Sequence, residues 1–461
     1  MSRGKRLPRR LEARASRSAH NNVRDAACFV VARTLASKAP VDTFMRGAFD
    51  RCDPRDYGLL RELVLGTLRW LRRLDDVLVQ ASGRPLDKIQ DELLAPLRLG
   101  IYQLLFLRLP SHAVVNESVE LARQMTHKGG ASFTNAVLRK VAKRRGLDEW
   151  PVKEKDAVRR AAIEWSHPDL LVKRWNYRFG LERTIELMRA NNERKDFHLL
   201  AFRHLGGRER LAEDLIDEGF EVEPSLIAPL GLRVSGGNPL DSEAFRAGRF
   251  YIQDEASQAA ALIPPPTGDE RILDLAAAPG GKTLSLLSYC PDLEVHAADV
   301  SLPRLARMRD NLDRLRLGVQ LVCTDIASSA FGPGFDRVLV DLPCSGTGTL
   351  RKNPEIKWRL SDDELDRLGS QARTLSAKAA DHVAPGGLLV LVSCSIEPEE
   401  VDRPLSEIER ARDDFSAVDL APLLPPHLRP QLVSAGLWQL LPGEQHDGFT
   451  VGVLRRRGGS R

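Results

Sequence analysis

Two cysteines carry the most reactive chemistry in this 461-residue chain. Cys344 lies in DLPCSGTG, a loop of small residues after the apolar run that ends at Val340. Cys394 lies in LVSCS, at the end of a second apolar run. A free cysteine is ordinarily a small buried hydrophobe. Two of them at strand ends, on the edge where an open parallel sheet binds its ligands, point instead to an activated thiolate. The residues alone leave open which of the two attacks.

Their neighbours narrow the reaction. RILDL is followed by AAAPGGKT (276–283), a small-residue turn leading into a helix. Glycines there let a ligand approach the backbone closely, and the helix start offers free N–H groups. Gly281, Lys282 and Thr283 fit the end of a P-loop, but Ala276 stands where its first glycine belongs, and G-x-G-x-x-G fails as well. The turn therefore suits a nucleoside cofactor without a pyrophosphate, such as S-adenosylmethionine. Ala276, Ala277, Ala278, Pro279, Gly280, Gly281 and Lys282 would hold it.

Asp299, Asp325 and Asp341 close the next three apolar runs. Asp299, about 20 residues beyond the turn, is suited to accept both ribose hydroxyls. Asp325 is expected near the adenine edge, and Asp341 near the methionine moiety or the substrate. A methyl donor beside two thiols specifies one reaction class. Carbon 5 of cytosine is a poor nucleophile, so a thiolate adds to carbon 6 and makes carbon 5 enamine-like. Methyl transfer follows, then loss of the carbon-5 proton and expulsion of the cysteine.

The elements that must position these residues read as three regions. From 22 to 146 the periodicity is helical. Leu60, Val64, Leu68, Leu71, Leu74 and Leu78 fall at spacings of three and four, and Gly83, Pro85, Pro110 and Gly129-Gly130 are read as gaps. The arginines between them suit a solvated face or an RNA surface. Residues 147–250 are expected to hold helices at 154–166 and 167–191, then a small α+β (RRM-like) unit. In that unit FHLLAFR, EVEPSLI and GLRVSG are strands, and ERLAEDLIDEGF is a helix closed by Gly219. From 251 to 456 strands and helices alternate, the mark of a parallel Rossmann-like α/β sheet, with FTVGVLRRR as the terminal strand.

Composition excludes other classes. No run nears the roughly eighteen apolar residues of a membrane span, and the N-terminus lacks a signal's apolar core. The cytoplasm is the expected compartment, and a monomer the expected state. Residues 1–20 carry seven Lys/Arg against one Glu, although the whole chain is only +5. The tails at 1–21 and 457–461 are read as disordered, serving solubility or nucleic-acid contact. Six cysteines at 28, 52, 290, 323, 344 and 394 form no C-x-x-C pair, so no metal site is expected.

QDEASQ (253–258), LDLAAAPGGKT (273–283), DLPCSGTGTLRKNPEIKW (341–358), VSCSIEPEE (392–400) and DGF (447–449) occur in this order. In them the chain resembles the bacterial small-subunit rRNA cytosine-5 methyltransferases of the RsmB type. VVNESVELA and FTNAVLRK resemble the NusB-like RNA-binding domain that precedes catalysis in that family. The resemblance implies S-adenosylmethionine on 276–282, Asp299, Asp325 and Asp341. It makes Cys394 the nucleophile and Cys344 the cysteine that assists product release. The implied substrate is 16S rRNA or a small-subunit assembly intermediate, with a cytosine presented outside the stack. Four departures stand out: Ala276 for a cysteine, Val401 for Asn, Thr450 for an aromatic, and LLAF (199–202) for Leu-Arg-Val-Asn. Two rivals remain: a non-catalytic RNA-binding or assembly factor, and a methyltransferase of tRNA or 23S rRNA.

Overall fold

The computed structural model describes residues 22–37, 39–126, 128–193, 196–326 and 331–458. The basic tail at 1–21 and the last residues, 459–461, lie outside the described residues. The chain forms two compact units, one of residues 1–193 with 350–360, the other of 194–349 with 361–461.

Among the described residues, helices alone build the first unit, including Val23–Ala36, Tyr57–Arg69, Leu71–Ser82, Asp91–Phe106, Ser111–Met125 and Lys128–Ala142. The unbroken leucine spacing of the sequence is divided at Trp70, which leaves helical geometry at φ −102° and ψ 13°. Leu60, Val64 and Leu68 thereby face one core cluster, while Leu74 and Leu78 face another. Gly83 caps its helix at φ +69°. Gly129 and Gly130 do not form a gap. They lie in the first turn of Lys128–Ala142, and a Cβ on Gly130 would collide with the Thr126 hydroxyl. The two expected helices run over Ala157–Glu164 and Asp169–Ala190, the second interrupted at Gly180 (φ 76°, ψ 167°).

Residues 350–360 belong to this unit although the sequence around them reads as methyltransferase motif. Ile356 and Lys357 are buried. The Lys357 ammonium donates to the Arg69 carbonyl at 3.3 Å, the Ser166 carbonyl at 3.2 Å and Asn192 Oδ1 at 2.8 Å. Burial holds its pKa well below the usual lysine range. The Trp358 indole donates to the Leu68 carbonyl at 2.6 Å.

The second unit contains two sheets. Strands β1 (Phe197–Ala201), β2 (Glu221–Pro224), β3 (Gly231–Ser235) and β4 (Phe250–Ile252) pair in the order β2-β3-β1-β4, every pair antiparallel. Helix Gly207–Asp217 joins β1 to β2, with Gly219 at φ +90° beyond its end. LLAF is buried along its whole length. Leu199 and Ala201 pack into one cluster, Leu200 and Phe202 into another. In this chain these four residues fill the core on both faces of β1.

The large sheet contains β5 (Arg271–Leu275), β6 (Glu294–Asp299), β7 (Gln320–Cys323), β8 (Phe335–Asp341), β9 (Val383–Ser393), β10 (Phe415–Ala417), β11 (Leu432–Ser434), β12 (Leu437–Leu440) and β13 (Phe449–Arg456). Its order is β11-β12-β13-β9-β8-β5-β6-β7, with β10 on β13. From β7 through β9 the strands are parallel, as expected; β13 enters antiparallel and brings three short strands that the alternation did not announce. Their runs of three or four residues are too short for a period-2 signal. The order reverses between β5 and β8, where an open α/β sheet leaves a crevice beyond its carboxyl ends.

Candidate active site

That crevice is a cavity of about 350 Å³, within the size range of small-molecule sites. Ala276, Asp299, Asp325, Asp341, Cys344 and Cys394 all line it. Six sequence-derived candidates from five strand ends thus meet in one place. Ala277, Ala278, Pro279, Gly280, Gly281 and Lys282 do not line it but form its frame. Ala276 turns the chain at φ +62° after β5, and Gly280 follows at φ +107°. A Cβ on Gly280 would press on Met308 at 3.0 Å. Helix Gly281–Tyr289 then starts at once.

The carboxylates are held differently. Asp299 is almost fully buried: Oδ2 accepts from the Ala278 N–H at 3.2 Å and Oδ1 from the Ser301 N–H at 2.8 Å. The Arg304 guanidinium also stands 3.5 Å from Oδ2; a carboxylate has about four lone-pair sites, so Oδ1 retains capacity for a ligand. Beside it Val300 is 71% exposed, an apolar side chain on the cavity lip. Asp341 pairs with the Lys282 ammonium at 2.5 Å. Burial works against that ammonium, but Asp341 outweighs it and holds Lys282 above the usual lysine range. Behind the floor, burial pushes the Asp274 carboxyl up to about 7, against the opposing effect of the Thr283 hydroxyl bonded to it at 2.5 Å.

The sulfurs of Cys344 and Cys394 lie 3.3 Å apart. This is hydrogen-bond distance for thiols, well beyond the roughly 2 Å of a disulfide. The S–H···S contact separates their ionisation. Cys344 is drawn down to about 7, chiefly by the bond from Cys394, with help from the Ser393 hydroxyl and the Gly346 N–H. The contact with Cys344 and burial push Cys394 up, and the Lys282 ammonium opposes that rise. At this distance the two are coupled, so their titration belongs to the pair.

Sequence reasoning missed the layer beneath the thiols. Ser345 and Ser395, each the residue after a cysteine, are buried, with their hydroxyls 3.1 Å apart. Thr347 reaches Ser395 Oγ at 3.0 Å. Glu400 accepts from the Ser345 N–H at 2.8 Å, and burial pushes its carboxyl up to about 8. The one trace of this layer in the sequence is the motif VSCSIEPEE, whose last glutamate is Glu400. Two departures also resolve here. Val401 is fully buried in the core beside Leu405, and Thr450 Oγ1 donates to the Ser395 carbonyl at 2.7 Å.

Residues 261–455 match the model of the 16S rRNA methyltransferase RsmB/F family, 21–143 that of the NusB family, and 167–241 that of the RsmF/B-like ferredoxin-like domain. The ribosomal RNA small subunit methyltransferase B of Vibrio cholerae is 32% identical over 95% of this chain and 98% of its own. That of Pseudomonas putida is 32% identical over 95% of this chain and all of its own length, 100%. The chain belongs to the ribosomal RNA small subunit methyltransferase B family.

Solved structures agree on the fold. The crystal structure of PH0851 covers 94% of this chain and 99% of its own at TM-score 0.75 and 24% identity. A methyltransferase homolog from Pyrococcus horikoshii covers 66% of this chain and 100% of its own at TM-score 0.55 and 24% identity. The methyl donor of the methyltransferase B family is S-adenosylmethionine. The cavity fits it: a buried carboxylate with a spare lone pair, an exposed apolar lip and three acidic walls suit a nucleoside that carries a cationic sulfur. Among the described residues, no helix is long and apolar enough to cross a membrane.

Proposed function

We propose that this enzyme methylates carbon 5 of a cytosine in 16S rRNA through a covalent cysteine–cytosine adduct. The observation that carries the reading is the pair of thiols 3.3 Å apart on the wall of a cavity that suits the donor. S-adenosylmethionine, when bound, supplies an electrophilic methyl group. Asp299 would orient its ribose, Asp325 its adenine side, and the Asp341–Lys282 pair its end nearest the thiols, with the 276–282 turn as the frame.

Cys394, as thiolate, forms a bond to carbon 6, and the electron pair of the 5,6 double bond moves to carbon 5, which takes the methyl group. Cys344 then accepts the carbon-5 proton, the double bond re-forms, and the Cys394–carbon bond breaks with its electrons returning to sulfur. The resting pair holds one proton. Attack by Cys394 leaves that proton on Cys344, and it must pass to solvent before Cys344 can accept the next. The cycle thus releases one proton and restores the pair. Lys282 keeps positive charge beside the sulfurs throughout.

The lower pKa of Cys344 favours a second reading, in which Cys344 attacks and Cys394 assists release. RNA carrying 5-fluorocytosine separates the two, because fluorine cannot leave as a proton and the adduct persists. In the first reading Cys394→Ala forms no adduct, while Cys344→Ala accumulates one that releases slowly. The reverse pattern establishes the second. Absence of labelled-methyl transfer to unmodified small-subunit RNA, with tight RNA binding retained, would leave a binding or assembly factor. Transfer to tRNA or 23S rRNA instead would correct the substrate. The same reading places the enzyme in the cytoplasm as a monomer, which sedimentation at working concentration tests.

A further inference from the structure

Glu400 has no part in the reaction just described, yet it lies at the junction of both cysteine loops. Its side chain is fully buried. Oε1 accepts from the Ser345 N–H at 2.8 Å, and Oε2 from the Ser345 hydroxyl at 3.1 Å. That hydroxyl meets Ser395 Oγ, which is tied in turn to Thr347 Oγ1 and to the Glu397 N–H at 3.0 Å each. One further bond, from the Gly348 N–H to the Cys394 carbonyl at 3.0 Å, ties the loops through the backbone. The residue after each cysteine is thus locked to the other loop, with one carboxyl beneath both.

A proton can be shared between two sulfurs only while their separation stays near hydrogen-bond distance. The strands β8 and β9 fix the loop roots, and the Ser393 hydroxyl and Gly346 N–H steady the Cys344 sulfur, but the spacing of the two loops beyond the strands depends on the layer beneath them. A carboxylate buried next to a thiol pair that carries one negative charge would add a second, and among the described residues no Lys or Arg pairs with Glu400. Burial without a cation favours the neutral form.

We propose that Glu400 is a positioning residue which, as a neutral acid, clamps Ser345 and Ser395 together and so keeps the two thiols at proton-sharing distance. This rests on the two-cysteine reading above. Elevation of the Glu400 carboxyl to about 8 agrees with it. Glutamine would mimic the neutral acid: its amide oxygen accepts from the Ser345 N–H, and its amide N–H, like the acid O–H, donates to a Ser345 hydroxyl turned to accept.

The test uses the full chain with Glu400→Gln, Glu400→Ala and Ser345→Ala. It reads kcat and KM for rRNA methylation, the Kd of S-adenosylmethionine, and the thiolate absorbance of the free protein as pH rises. The expected result is a Glu400→Gln enzyme within about three-fold of the parent in kcat. Glu400→Ala should lose on the order of 10–100-fold in kcat, the scale of an ångström-sized misplacement, with KM and Kd unchanged. Its thiol titration should move up toward that of an ordinary cysteine. Ser345→Ala, a milder cut in the same clamp, should move the titration the same way and keeps the test open if Glu400→Ala does not fold. Equal damage from Gln and Ala would overturn the neutral role, and an unaltered titration in Glu400→Ala and Ser345→Ala would overturn the clamp. The titration needs no RNA, so failure of the wild-type enzyme to trap 5-fluorocytosine would refute the reaction without touching it.

Discussion

The two halves of the cavity are built in different ways. On the donor side, at the ends of β5, β6 and β7, the walls are Ala276, Asp299 with its spare lone pair, the exposed Val300, and Asp325. On the thiol side, at the ends of β8 and β9, the sulfurs rest on a sealed layer of hydroxyls and one carboxyl. In the proposed reaction the first half releases a spent ligand in every turnover, and carboxylates that line an accessible cavity suit that. The second must hold two atoms at one distance, which calls for buried, mutually satisfied hydrogen bonds. Lys282 belongs to both, since it pairs with Asp341 and lowers the Cys394 thiol.

If the halves are independent, changes on one side should spare the other. The largest effect is expected from Cys394→Ala: turnover should fall at least about 10³-fold while the Kd for S-adenosylmethionine, measured by calorimetry, stays within two-fold, roughly the noise of such additivity arguments. A collapse of donor binding would show that the halves are one. Lys282→Met should cross the boundary. It should lower kcat by about 10²-fold as an electrostatic group near the reacting sulfurs. Because a cation that lowers the thiol is gone, the acid limb of the pH–rate profile should move to higher pH. Asp299→Asn should weaken donor binding by about 10–100-fold, the worth of a hydrogen bond to a charged group, and leave the thiolate titration where it was.

Two smaller effects sharpen the picture of the frame. Asp274 is raised to about 7 in the folded chain, so below its unfolded pKa both states are protonated and nothing is lost. Between about 4 and that value the folded state holds the extra proton, and stability should fall as pH rises. Asp274→Asn should flatten this slope in denaturant melts taken across the range. Thr450→Val removes two bonds, one to the Ser395 carbonyl and one accepted from the Gln439 amide, and should cost about 1–2 kcal/mol of stability, with kcat reduced only modestly.

The cavity walls at Asp299, Asp325 and Asp341 were largely legible in the sequence. Acids that end apolar runs announce themselves, because strand alternation places Asp299, Asp325 and Asp341 on one sheet edge whatever the tertiary detail. The clamp was not legible. Ser345, Ser395 and Glu400 are residue types that ordinarily face water, and only the approach of two loops 50 residues apart buries them. The strands β10, β11 and β12 escaped for a different reason, being too short to show a period. The division of the leucine run at Trp70 depended on two cores competing for one pattern, which a single helical wheel cannot display.

Residues 350–360 have a practical consequence. They follow Cys344 by a few positions, yet Ile356, Lys357 and the Trp358 indole find their partners among residues before 193. A fragment that begins at residue 194 would keep every wall of the cavity but strip this segment of the carbonyls that hold its lysine and of the helices that cover its tryptophan. Such a fragment would carry a greasy, charged loop in solution just after its own active-site motif. The catalytic unit cannot be isolated by one cut. Anyone who truncates the helical region to ask whether it binds RNA will also be asking whether the remainder still folds.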